Sequence, residues 1–161
     1  MKNTEDFFNE IRSGNDEVVR ELLIEHPDLI NARDQRGSTP LILATYYNQY
    51  NIAVLLLELG AKIDEKDASG NTALMGVCFK GFDKIAKLLI ERSANVNEIN
   101  AMGSTSLIYA VTFKHMAIAK LLLSNGADTS LKDARGNSAL DHAKLQGIAS
   151  FIDLFDKPDW E

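Results

Sequence analysis

The chain has 161 residues, 45% of them hydrophobic and 25% charged, an ordinary globular composition with enough apolar material for one continuous core. Its formal net charge of −6 is the wrong sign for a protein that neutralises phosphates, so nucleic acid is not an expected partner. A single cysteine, Cys78, rules out an intrachain disulfide, and the longest purely apolar run, Ile52 to Leu57, is far too short to span a bilayer. The start of the chain, Met1-Lys2-Asn3-Thr4-Glu5-Asp6, places acids where a secretory leader needs a basic and then an apolar segment. A soluble, cytoplasmic protein without a membrane partner is expected.

Residues 1–33 carry eight acidic and four basic side chains, so much of the charge imbalance sits at this end. Within them Phe7, Phe8 and Ile11 lie at helical spacing, Gly14-Asn15 interrupts, and Val18, Val19, Leu22 and Leu23 form a second apolar stripe. Two short helices joined at Gly14 follow, with Asn9, Glu10, Arg12, Glu17, Arg20 and Glu21 on the solvated faces and Pro27 ending the second.

From Asp34 a pattern sets in that returns three times. Asp34-Gln35-Arg36-Gly37-Ser38-Thr39-Pro40-Leu41 is followed by copies starting at Asp67, Asn100 and Asp133, each displaced by 33 residues. Each copy can be derived from its residue types. Asp with Gly three residues on makes a tight turn, because the carboxylate accepts from backbone amides and Gly tolerates positive φ. Thr39, Thr72, Thr105 and Ser138 then cap a helix, with Pro40 in the first turn, where a missing N–H does least harm. Leu41 and Ala44, and their counterparts Leu74 and Val77, Leu107 and Ala110, Leu140 and Ala143, face a second helix of the pair. That second helix carries the larger stripe: Ile52, Leu55, Leu56 and Leu57, then Ile85, Leu88, Leu89 and Ile90, then Ile118, Leu121, Leu122 and Leu123. One pair cannot hide such a stripe, whereas stacked pairs can. Gly60 and Gly126 end their helices in the left-handed conformation; in the third unit the Gly position is Ser93, where the same ending, if kept, would put positive φ on a residue with a side chain. The last unit introduces Asp141, Lys144 and Asp153 at formerly apolar positions, as a terminal cap requires, and Pro158 stops the helix before Trp160, which either folds back over the last pair or stays in solvent.

A 33-residue period with a T-P-L-x-x-A signature resembles the ankyrin repeat, over nearly the whole chain. The resemblance implies an all-α solenoid of stacked helix-turn-helix repeats with hairpin loops, about five units with degenerate caps: a cap at 1–33, full repeats at 34–66, 67–99 and 100–132, a closing cap at 133–156, and a tail at 157–161. The T-x-L-[IM] form is similar to small free-standing ankyrin proteins of bacteria. The chain departs from the family in two places. The family's His two residues after the Pro is replaced by Ile42, Met75, Ile108 and Asp141, so the network that ties neighbouring loops is expected to give way to apolar packing. The Gly-His turn between helices survives only as Gly81-Phe82 and Gly147-Ile148, with Asn48-Gln49 and Lys114-His115 elsewhere.

No enzyme signature is present. His26, His115 and His142 fall in distant repeats and cannot share a metal or a proton relay. Ser138, Asp141 and His142 share one helical turn and point apart, and Cys78 reads as an inert core thiol. No cofactor or metal is expected. The resemblance places binding on the hairpin tips and the exposed side of the first helices: Gln35, Arg36, Ser38, Tyr46 and Tyr47; Ser69, Asn71, Phe79 and Lys80; Met102, Ser104, Thr112 and Phe113; Arg135 and Asn137, with Ala68, Ala101, Ala134, Leu145 and Gln146 beside them. Tyr46, Tyr47, Phe79 and Phe113 recur on one line next to Arg36, Lys80 and Arg135. Aromatics flanked by cations have the composition of an interface centre. The other reading is that Tyr46, Phe79 and Phe113 are half-buried covers of the helices beneath. Tyr50, Phe82 and Met116, one turn on, belong to the core or its rim. The expected function is a non-enzymatic module, an adaptor or regulator docking a protein with an acidic, partly apolar segment. The alternative is a substrate role: Asn97 in Ala94-Asn95-Val96-Asn97 matches the asparagine that protein hydroxylases modify in this family.

Overall fold

The computed structural model describes residues 2–156, so Trp160 and the tail from Lys157 onward lie outside the described residues. The first helical pair is α1 (Lys2–Ser13) and α2 (Asp16–Glu25), followed by a 3-10 turn at Pro27–Asn31. Four more pairs follow: α3 (Pro40–Tyr46) with α4 (Tyr50–Glu58), α5 (Ala73–Lys80) with α6 (Asp83–Glu91), α7 (Ser106–Thr112) with α8 (Met116–Ser124), and α9 (Ala139–Gln146) with α10 (Ala149–Leu154). Among the described residues there is no β-strand, only an isolated bridge between Lys132 and Ser138. The architecture is the expected all-α solenoid.

Helix starts follow from the caps. The hydroxyls of Thr39, Thr72 and Thr105 accept from the N–H groups of Ile42, Met75 and Ile108 at 3.1, 3.2 and 3.1 Å. At Ser138 the arrangement is reciprocal: Ser138 accepts from the Asp141 N–H, and the Asp141 carboxylate accepts from the Ser138 N–H. These bonds satisfy donors that the first helical turn leaves open.

The odd-numbered helices form one row and the even-numbered ones another, and the odd row packs more closely, which curves the stack toward it. Ala44, Val77, Ala110 and Ala143 are completely buried in that row, where small side chains let neighbouring helices approach. In the even row Ile52 with Leu56, Ile85 with Leu89, and Ile118 with Leu122 are hidden between repeats, each contributing roughly 1.5–3 kcal/mol relative to exposure. Leu57, Ile90 and Leu121 are half-buried at the rim, as are Tyr50, Phe82 and Met116. A single core runs from Phe7 to Leu154. In the first pair Val19 and Leu23 enter that core, whereas Val18 stands 39% exposed.

The tips are tied more thoroughly than the loss of the family histidine suggests. Buried Ile42, Met75 and Ile108 do fill the vacated space. Polar links are nevertheless present: Asn100 Nδ2 donates to Asn71 Oδ1 and to the Tyr109 hydroxyl, both at 2.8 Å, and His142 Nε2 meets Asp133 Oδ2 at 2.7 Å. Tyr109 and His142 occupy the same place in successive repeats, one residue beyond the family's usual histidine position. Along the opposite edge Arg33 donates to the carbonyl of Lys66, and Lys66 donates in turn to the carbonyl of Ile99.

Candidate functional site

The curved inner face is built from the last turns of α3, α5 and α7 and from the tips that precede them. Each tip is shaped by its first residue. Asp34 Oδ1 accepts from the N–H groups of Arg36 and Ser38, and Asp67, Asn100 and Asp133 do the same in their own turns. The carboxylates therefore point inward, where they are largely shielded; the Asp34 and Asp133 side chains are 14% and 13% exposed. Burial would raise the Asp133 carboxyl, but the Asn137 N–H, the His142 imidazole and the Arg135 N–H together hold it below the usual carboxylate range. Arg36 and Arg135, by contrast, project from the tips and are exposed. A tip that is neutral by formal count thus shows its positive half to solvent.

Between the tips and the far edge runs an aromatic strip. Phe79 and Phe113 meet edge to face with centroids 4.6 Å apart, and Tyr109 lies stacked on Phe113 at 6.2 Å. Tyr46 and Tyr47 form a second pair at 6.0 Å, and the Lys80 ammonium sits 5.0 Å from the centre of the Tyr46 ring and 5.8 Å from that of Phe82. Tyr46, Tyr47, Phe79 and Phe113 are 37–45% exposed, so each ring covers the helix beneath it and still offers a face to solvent. The rings thus act as covers of the helices beneath while part of each stays open to solvent. Met102 and Leu145 extend the apolar surface and are more exposed still, at 61% and 73%.

Gln35, Ser69, Lys80 and Arg135 lie on the surface where the pattern puts them. Ser38 and Ser104 do not: both are 7% exposed and serve the turn through their main chain. Asn71 is half-buried with its amide oxygen engaged by Asn100, Asn137 is half-buried in its own turn, and Thr112 has its hydroxyl below the surface. Tyr109 is the contributor that the repeat pattern does not point to, although its spacing of four from Phe113 puts both rings on one helical face.

Other polar groups are absorbed by the scaffold. Gln49 Nε2 and His115 Nε2 reach the carbonyls of Arg12 and Phe79 in the preceding pair, at 3.0 and 3.1 Å, and Gln146 Nε2 reaches that of Thr112. They satisfy acceptors that the C-terminal turn of an inner helix leaves open. Asn97 uses both ends of its amide on the next repeat: Nδ2 donates to the Gly126 carbonyl and Oδ1 accepts from the Asp128 N–H. Cys78 is fully buried, and desolvation pushes its thiol up to about 12 against a weaker opposing hydrogen bond from Ser106, so it is not a nucleophile at neutral pH. Ser138 and Asp141 are locked in their cap while His142 turns to Asp133, which leaves no relay among them. Among the described residues no three His, Cys, Asp or Glu side chains gather as metal ligands, and no helix is long and apolar enough to cross a membrane.

No curated protein matches the chain. The family described as ankyrin repeats (3 copies) matches residues 10–67 and 64–133, well over half of the sequence. Members of this family are typically non-enzymatic and generally act as protein–protein interaction modules. With its 33-residue period, capped helical pairs and curved inner face, the chain belongs to the ankyrin repeat family.

Proposed function

We propose that this chain is a non-enzymatic binding module, an adaptor or regulator of the cytoplasm, that docks a partner protein through its hairpin tips and the concave face of its first helices. The observation that carries the proposal is the half-exposed strip of Tyr46, Tyr47, Phe79 and Phe113 across three successive repeats, with Lys80 within it and Arg36 and Arg135 at the tips. A partly desolvated aromatic centre with cations around it is where interfaces concentrate binding energy. The acids of the tips are turned inward, so the partner that fits is acidic and partly apolar, even though this protein is acidic overall.

The test is a pull-down with the full chain against the paired variant Tyr47→Ala and Phe113→Ala. Loss of the captured partner with an unchanged circular dichroism spectrum supports the proposal, and retained capture removes it. Modification of Asn97 by an asparaginyl hydroxylase is the alternative; it has less support because that side chain is held at both ends by the next repeat. Intact-mass measurement after exposure to such an enzyme decides it.

A further inference from the structure

We propose that the C-terminal end of the stack is a docking site for this chain's own residues 157–161, with Trp160 as the anchor. It concerns an end of the solenoid and stands independently of the concave face. The 33-residue register shows what that end leaves uncovered. Leu41, Leu74 and Leu107 of the odd row are fully buried, as are Ala53, Ala86 and Ala119, and Leu56, Leu89 and Leu122, of the even row. Their counterparts in the last repeat, Leu140, Ile152 and Phe155, are only half-buried. What the last repeat lacks is a neighbour on its far side. A fourth position holds fully buried Thr45, Cys78 and Val111 in the earlier repeats and an exposed Lys144 in the last. Asp141 also brings polarity to this repeat, but its carboxylate is turned to its own cap at Ser138. The end is therefore not the fully polar face that closes a solenoid in water. It presents three half-covered apolar side chains beside a cation.

Reach and chemistry select the occupant. Phe155 and Asp156 directly follow α10, so residues 157–161 leave the stack from this end. Trp160 lies four positions beyond Asp156 and can be carried about 13–14 Å from it, more than the 8–10 Å or so that separates packed helices such as α10 and α9. Pro158 bars a continuation of α10 that would take Trp160 away along the helix axis. An indole brings about 150–250 Å² of surface, mostly apolar, to Leu140, Ile152 and Phe155. Asp159 and Glu161 flank it, and Lys144 and Lys132, both within electrostatic reach of Asp141, supply the opposite charge. A segment joined by so short a link competes at an effective concentration of about millimolar, which a second copy or a foreign partner has to outbid.

Trp160 is the chain's single Trp, so its fluorescence, excited where tyrosine does not absorb, reports on this contact alone. In the native full chain the emission maximum should lie at shorter wavelength than in concentrated urea, with iodide quenching weaker than for a peptide of residues 153–161. The shift should be independent of protein concentration. Ile152→Glu, which puts a like charge beside Asp159 and Glu161, should return the emission to the solvated position. Lys144→Glu, at an exposed site that burdens the fold less, should do the same with an unchanged circular dichroism spectrum. Val18→Glu, at the other end of the stack, should leave the emission where it is. A chain ending at Asp156 should melt about 2–4 °C lower than the full chain. Solvated emission in the native full chain, or an equal midpoint for the shortened one, overturns the proposal. So does shifted emission that ignores both Ile152→Glu and Lys144→Glu, since Trp160 then packs elsewhere. A shift that appears only as concentration rises, with a dimer in sedimentation, gives the end to a second copy and overturns it too.

Discussion

Replacing Ser93 by Gly should stabilise the protein. Ser93 follows α6 with φ of 70°, one of three non-glycine residues in the left-handed region among the described residues, alongside Asn48 and Lys114. Its backbone bonds reproduce those of the equivalent glycines: Ser93 donates to Ile90 and Ala94 to Leu89, as Gly60 donates to Leu57 and Ala61 to Leu56. Gly60 and Gly126 reach φ of 92° and 87°, and a β-carbon on either would meet nothing within 4 Å. Space is therefore not what distinguishes the sites; backbone strain is. A side chain in this region costs about 1–2 kcal/mol, and glycine returns about 0.5–1 kcal/mol of that through the freer unfolded chain. The net is about 0.5–1 kcal/mol in favour of the variant, which for a chain of this size raises the thermal midpoint by about 1–4 °C. The assay is thermal unfolding followed by circular dichroism and calorimetry, with urea melts to check that the denaturant slope is unchanged. A midpoint that stays put or falls would refute the strain argument, because Ser93 is exposed and its hydroxyl makes no hydrogen bond that could mask the gain.

Gly81→Ala should destabilise by at least about 1–2 kcal/mol, since Gly81 has φ of 84° and its added methyl would collide with the His115 ring; coupling it to His115→Ala should recover the steric part but not the strain, as a double-mutant melt would reveal. Asp133→Asn should cost about 0.5–1.5 kcal/mol near neutral pH. Because the folded-state pKa of Asp133 is depressed, its contribution is present above the unfolded value near ~3.9 and is lost as pH falls through the folded one, so the two stability curves should converge below about pH 4. Convergence on the alkaline side instead would contradict this sign. Lys66→Met keeps the apolar stem but loses the 2.9 Å bond to the Ile99 carbonyl and the ion pair with Glu98, and urea melts should show a loss of no more than about 1 kcal/mol, since the group is well solvated.

The fold was legible because its determinants are local and repeated. Thr39 as a cap, Gly60 as a terminator and the Ile52–Leu56 stripe each act within a few residues, and the 33-residue period multiplies the signal fourfold. Even the strained Ser93 follows from alignment with its neighbours. What stayed hidden depends on partners about one period away. Nothing in Gln49 or His115 announces that each will satisfy a carbonyl 37 or 36 positions earlier, and the Asn71–Asn100–Tyr109 link needs two tips and a helix placed in space. Ser38 and Ser104 look like open loop positions because they are small and polar, yet the carboxylate or amide that shapes each turn draws their main chain inward. Val18 illustrates the complementary error: on so short a helix as α2, one step of 100° carries an apolar side chain from the buried stripe to its margin.

The way the tips are joined also sets how the molecule can deform. Neighbouring tips share a single main-chain bond, Arg36 to Ala68, Ser69 to Ala101 and Met102 to Ala134, while the helical layers below interlock along their length. Bending is therefore cheapest about the helical layer, and the tip edge opens and shuts like the rim of a fan. The concave side can widen or narrow by small shares at each junction without uncovering any leucine, so fit to an irregular contour is distributed over the whole arc rather than lodged in one hinge.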